Sequence, residues 1–156
     1  MKNRIFLTAL TMLMFCFLTG CGETAEVSDQ IAEDEVNLYE GVTMTVVEGS
    51  ADAVSAAVEI LNATEKCIES GNQFDFGLQK EVDGAWYWME TKESEYCNTA
   101  EAIGYPTGEP VVQELTWGSV YGTLAEGHYR IVKAFFEYRR PGDYTDFLLA
   151  AEFEIP

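Results

Sequence analysis

Gly77-Leu78-Gln79-Lys80-Glu81-Val82-Asp83-Gly84-Ala85-Trp86-Tyr87-Trp88-Met89 is the stretch that decides the fold. Asp83-Gly84 supplies the φ > 0 pair of a type I′ turn, whose twist suits a two-residue β-hairpin. Upstream, Phe74, Phe76 and Leu78 fall on one face of a strand that runs on to Val82. Downstream, Ala85 to Met89 returns, with Trp86 and Trp88 sharing a strand face.

Alternation continues on both sides of this hairpin, and no segment carries a sustained helical stripe. Val42, Met44 and Val46 alternate with Thr43 and Thr45. A Gly49-Ser50 turn leads to a strand in which Ala56, Val58 and Ile60 share a face and which ends at Asn62-Ala63-Thr64. Thr91 to Gly108 is polar and reads as a long loop or irregular edge strand, a usual home for function. Val111 to Trp117 is the next strand, Gly118 to Gly122 a turn, and His128 to Tyr138 a long strand. Arg139-Arg140-Pro141-Gly142-Asp143 breaks the chain, and Thr145 to Ile155 returns with Phe147, Leu149, Ala151 and Phe153 facing one way. Short strands separated by turn signals predict an antiparallel all-β domain over residues 41–156, and about seven of them suit a Greek-key β-sandwich.

The first 40 residues read differently. Lys2 and Arg4 precede a 14-residue apolar run, Ile5 to Leu18, too short to span a bilayer comfortably but suited to a signal peptide over residues 1–20. The run ends in Leu18-Thr19-Gly20-Cys21, which resembles a bacterial lipobox. That resemblance implies diacylglycerol on the Cys21 thiol, cleavage before it, and a chain held by lipid on the extracytoplasmic face of the cell membrane. Residues 21–40 are rich in acids, hold no basic residue and have few large apolar ones, so they are expected to form a flexible tether reaching about 25 Å.

Charge narrows the partners. The chain has 9 Lys+Arg against 27 Asp+Glu, a net charge of -18. Loss of residues 1–20 removes two basic residues and no acid, taking -18 to -20. Nucleic acid is excluded as a partner, because nine scattered cations cannot neutralise a row of phosphates. Cys16 leaves with the signal and Cys21 carries lipid, so Cys67 and Cys97 remain, 30 residues apart. Outside the cytoplasm that pair permits a disulfide, for which the chain-entropy model gives roughly 3.5 kcal/mol; two free thiols are the alternative.

Val58 to Thr64, Gly77 to Tyr87, Leu124 to Lys133 and Leu148 to Phe153 together resemble a family of bacterial immunoglobulin-like domains found in small lipoproteins, mostly of Gram-positive bacteria. The resemblance covers about Gly49 to Ile155. It implies an immunoglobulin-like Greek-key sandwich with no catalytic residues to carry over, acting as a non-enzymatic binding or interaction module at the cell surface with a protein partner. Some bacterial Ig-like domains also resemble proteinase inhibitors, so a Thr91 to Gly108 loop braced by Cys67 and Cys97 would suit presentation to an enzyme cleft.

Individual residues sort mainly toward structure. Leu124, Gly127 and Tyr129 look like the corner of an Ig-like fold, with the Tyr129 ring in the core and its hydroxyl on upstream backbone. Trp86, Trp88 and Trp117 are candidates for an aromatic ligand platform, though in a small sandwich most large aromatics fill the core. His128 is the only histidine, which excludes a multi-histidine metal site, and no nucleophile elbow accompanies it. Asp143 and Asp146 lack the Asp-x-Asp-x-Asp pattern of a calcium loop. Arg139 and Arg140 could meet a partner at a hairpin tip or pair with Glu137, Asp143 and Asp146; local pairing is the expectation. No metal, cofactor or catalytic constellation is predicted.

Overall fold

The computed structural model describes residues 22–92 and 101–156. Among them all regular structure is β, in ten strands: β1 Val27–Ile31, β2 Val42–Val46, β3 Ser55–Asn62, β4 Ile68–Ser70, β5 Gly77–Val82, β6 Ala85–Met89, β7 Ile103–Tyr105, β8 Val111–Thr116, β9 Gly127–Arg140 and β10 Asp143–Ile155. They form two antiparallel sheets. One has the order β2-β3-β8; the other runs β1-β6-β5-β9-β4-β7, with β10 on the opposite edge of β9.

The sandwich follows from alternation. Val42 and Met44 of β2, Ala56, Val58 and Ile60 of β3, and Leu115 of β8 point inward. They meet Leu78, Tyr129, Ile131, Phe135, Leu149 and Phe153 from the larger sheet. At about 25 cal/mol per Å² of apolar area, each such aliphatic side chain contributes roughly 1.5–3 kcal/mol. The deciding hairpin forms where expected: Asp83 and Gly84 have φ of 53° and 81°, and Val82 pairs with Ala85.

Three expectations are corrected. The strand count is ten rather than about seven, because β1, β4 and β7 are short pairings with weak alternation. The strand expected to include Phe74 and Phe76 starts at Gly77. Asn72 Oδ1 accepts from the Phe74 N–H at 2.9 Å and Asn72 O from the Asp75 N–H at 3.1 Å, winding this segment into a turn that leaves Phe74 44% exposed. Lys133 Nζ, fully buried, clamps that turn by donating to Gly71 O, Asn72 O and Asp75 O at 3.2, 2.6 and 2.9 Å.

The third correction concerns the acidic segment. It is folded onto the body rather than free. Thr24 bridges to Thr123, and β1 pairs with β6 (Val27 with Met89, Ile31 with Tyr87). Ala32 N–H then donates to Trp86 O on the β6 edge, while Asn37 reaches β10 at the far edge. There the Asn37 N–H donates to Leu148 O at 2.9 Å. Its side chain donates to Ala150 O at 3.1 Å and accepts from Ala150 N–H at 2.9 Å. Residues 32–36 thus strap the outer face of the large sheet. Beneath them Gln79, Arg130, Val132 and Ala150 are buried although none faces the sandwich core. Backbone hydrogen bonds and the cover given to that face order this segment, and neither requires a hydrophobic sequence.

Candidate functional site

The outer face of the large sheet carries the polar and aromatic residues that the core does not use. At its β5–β6 end, antiparallel register places Trp86 beside Glu81 and Trp88 beside Gln79, with Gln79 opposite Arg130. Arg130 lies under the strap, 7% exposed, with its guanidinium 4.4 Å from the Trp86 ring centroid and Nε donating to Gln79 Oε1 at 2.6 Å. Burial lowers its pKa, opposed by the Glu152 and Asp34 charges. Gln79 Nε2 is buried with no partner. Gly77 lets the Trp88 ring lie against the β5 backbone, and a Cβ at that position would push the ring aside.

His128 stands at the rim of this cluster. Its Nδ1 is 2.6 Å from Glu81 Oε2 and its Nε2 3.2 Å from Glu152 Oε2. The hydrogen bond to Glu81 raises its pKa, with further support from Glu154, Glu152 and Glu81 charges against partial desolvation. Two carboxylates, one at each ring nitrogen, favour the protonated ring and occupy both nitrogens. Among the described residues no group of three or more His, Cys, Asp or Glu side chains is arranged to hold a metal ion.

At the opposite end, near the β9–β10 turn, the outer face is open. Glu69 of β4, Phe136 and Tyr138 of β9, and Tyr144 of β10 line a cleft of about 280 Å³. Phe136 lies opposite Glu69 and Tyr138 opposite Tyr144. The Phe136 and Tyr144 rings are 5.7 Å apart and perpendicular, at 88°. Reading the sequence for tryptophans missed this group. The signal was alternation itself, since Phe136 and Tyr138 fall on the face of β9 opposite Phe135.

The residues singled out from the sequence are scattered. Trp117 is fully buried and donates Nε1–H to Ala53 O at 3.1 Å, so it belongs to the core. Trp86 and Trp88 are half-buried on the outer face. Tyr129 is 1% exposed and donates its hydroxyl to Ala125 O at 2.9 Å, while Leu124 is buried and Gly127 opens β9 with φ 152°. Arg139 and Arg140 lie within β9, not in a loop, because Arg140 pairs directly with Asp143 around Pro141-Gly142. Arg139 contacts Glu137 at 3.0 Å and Asp143 at 2.8 Å, and Arg140 contacts Asp143 at 3.2 Å.

The cysteine pair is placed only in part. Cys67 is exposed, with Sγ 3.8 Å from Glu69 Oε1; partial desolvation and the Glu69 charge raise its pKa and make it a poor nucleophile at neutral pH. Cys97, Cys21 and the signal segment lie outside the described residues, as does much of the Thr91 to Gly108 loop. Its later part forms edge strand β7 against β4.

Two sheets packed through alternating inward residues, with a tyrosine corner opening the longest strand, are the features to compare with known families. A model of the bacterial Ig-like domain family matches residues 38–154. The chain belongs to that family. The matched region begins just before Tyr39, so β1 and the strap lie outside it as an addition to the Ig-like body. No curated protein and no solved structure matches the chain.

Proposed function

We propose that this Ig-like domain is a non-enzymatic interaction module, held by lipid on Cys21 at the extracytoplasmic face of a bacterial cell membrane. The observation that carries the interaction reading is the open aromatic cleft on the outer face of the large sheet, away from the core. Exposed aromatic surface of this kind, rimmed by polar residues, is typical of binding sites. His128 at the other end of that face pairs with Glu81 and Glu152, an arrangement that suits stability better than turnover. The anchor reading rests on the basic start, the apolar run and Leu18-Thr19-Gly20-Cys21.

Two arms test the proposal. Labelled fatty acid should enter the protein and be lost in Cys21→Ser; incorporation into that variant would overturn the anchor. The full chain in detergent should capture a specific envelope component, and Tyr144→Ala should release it. Capture unaffected by Tyr144→Ala would remove the cleft as the contact surface, and a captured protease would favour an inhibitor instead.

A further inference from the structure

We propose that the cleft lined by Glu69, Phe136, Tyr138 and Tyr144 binds a quaternary ammonium group, carried either by a free solute or by a lipid headgroup. This deepens the interaction-module reading and rests on it. Three of the four lining side chains are aromatic, and the fourth is a carboxylate. Ring faces carry negative electrostatic potential and attract a cation whose charge is spread over methyl groups, which need apolar contact and no hydrogen-bond acceptors. Phe136 and Tyr144 meet at 88°, giving two walls of a corner rather than the flat platform on which a sugar ring stacks.

Charge at the site agrees. Glu69 makes no ion pair among the described residues, and its contact there is the weak one to the Cys67 thiol at 3.8 Å. The neighbouring cations are already held. Lys66 lies on Glu137 at 2.9 Å, Arg139 is shared by Glu137 and Asp143, and Arg140 is on Asp143. Glu69 is therefore a half-buried carboxylate beside three rings, with no ion-pair partner among the described residues, in a chain of net charge -18. Tyr144 is 56% exposed, so a ligand can reach the corner without rearrangement of the sheet.

The test uses the full chain carrying Cys21→Ser, exported without lipid, and calorimetric titration with choline. Saturable binding is expected, and the neutral isostere with a tert-butyl group in place of trimethylammonium should bind about tenfold more weakly. Tyr144→Ala, at an exposed position, should weaken choline by about tenfold, and Glu69→Gln by severalfold, with thermal midpoints unchanged. Glycine betaine should bind more weakly than choline, because its carboxylate meets Glu69. Phosphatidylcholine vesicles separate the sources: capture competed by choline and lost in Tyr144→Ala assigns a headgroup, and binding of choline without vesicle capture assigns a soluble ligand. Equal binding of the isostere, preference for a neutral sugar, absence of saturation by choline, or indifference to Tyr144→Ala would overturn the proposal. Failure of choline binding with envelope capture intact would remove the ligand class and leave the interaction module standing.

Discussion

At the scale of single residues, two charged side chains on β9 hold segments that have little apolar surface of their own. Lys133 does so inside the sandwich, where its ammonium gathers three carbonyls of the 71–75 turn as a bound cation would. Burial brings its pKa down to about 8, so at neutral pH it remains charged and a donor. Lys133→Met keeps the length but leaves those carbonyls without it; a loss of about 3 kcal/mol is expected, read as a lower denaturant midpoint. Glu137 acts at the sandwich edge. Hydrogen bonds from Tyr39 at 2.6 Å and Lys66 at 2.9 Å, with help from Arg139, hold its carboxyl at about 2 against an ordinary 4.5. A depressed carboxylate pKa adds stability above the unfolded value, and that stability is lost as pH falls through the folded value. The difference in thermal midpoint between wild type and Glu137→Gln should therefore be full above pH 4.5 and shrink toward pH 2, the window set by those two values. A difference that stayed constant across the window would show that the cluster does not act through its charge. Neither role was legible in the sequence. A lysine at an inward position reads as a defect in alternation until the carbonyls that satisfy it are known, and those come from residues about 60 positions away.

At the scale of elements, the sequence was clearest where local chemistry and burial agree. Asp83-Gly84 specifies its hairpin through backbone conformation, and the inward sets of β2, β3 and β10 are visible because one face is packed and the other wet. The acidic segment misled for the opposite reason. Its order comes from edge pairing and from Asn37, none of which leaves a hydrophobic period to read. Asn37 adopts φ 61° and offers its amide to Ala150 in the way a neighbouring strand would. Asn37→Ala should cost about 2 kcal/mol, from the two lost hydrogen bonds and the strained backbone, whereas Asn37→Gly should recover the backbone part. Removing residues 22–40 goes further, since β6 loses its outer partner and Arg130 and Gln79 lose their cover. A chain beginning at residue 41 should show faster amide exchange along Ala85–Met89 than one beginning at residue 22, and a lower thermal midpoint to which loss of the Tyr39 contacts with Glu137 and Phe147 also contributes. Equal exchange in the two would mean that the strap contributes nothing to the sheet. The aromatic cleft was legible only in part: Phe136, Tyr138 and Tyr144 lie within one hairpin and follow alternation, whereas Glu69 joins them through the pairing of β4 with β9.

For the whole molecule, ordering of the acidic segment changes what lipidation on Cys21 would mean. A free tether would let the domain turn in any direction about 25 Å from the bilayer. Instead Gly22 lies so close to the body that a Cβ there would be 2.8 Å from Thr123 Oγ1. Thr123 N–H donates to Glu23 O at 2.9 Å, Ala25 N–H donates to Thr123 O at 2.9 Å, and Lys92 lies 3.2 Å from Glu23. If Cys21 carries lipid as proposed, a single residue would separate the anchor from the contacts that begin at Gly22 and Glu23, and the flank formed by β1 and residues 118–123 would face the membrane. The β9–β10 turn, reached along a 14-residue strand of about 3.3 Å per residue, points elsewhere and carries the aromatic cleft with it. Glu23, Glu26 and Glu90 lie together beside Gly22, so on a chain anchored at Cys21 they would oppose adhesion to anionic headgroups, and the short link would set the stand-off. With a lipid coupled chemically to Cys21, and Cys67 and Cys97 replaced by Ser, energy transfer to bilayer dyes should be strong from a fluorophore at Ser119 and weak from one at Gly142. A flexible insert after Gly22 alone would leave the Glu23–Lys92 and Thr123 contacts in place, so it should lengthen both distances and bring them toward each other. Equal transfer from the two positions without the insert would mean that the first residues detach at the membrane, and the module would then present every face in turn.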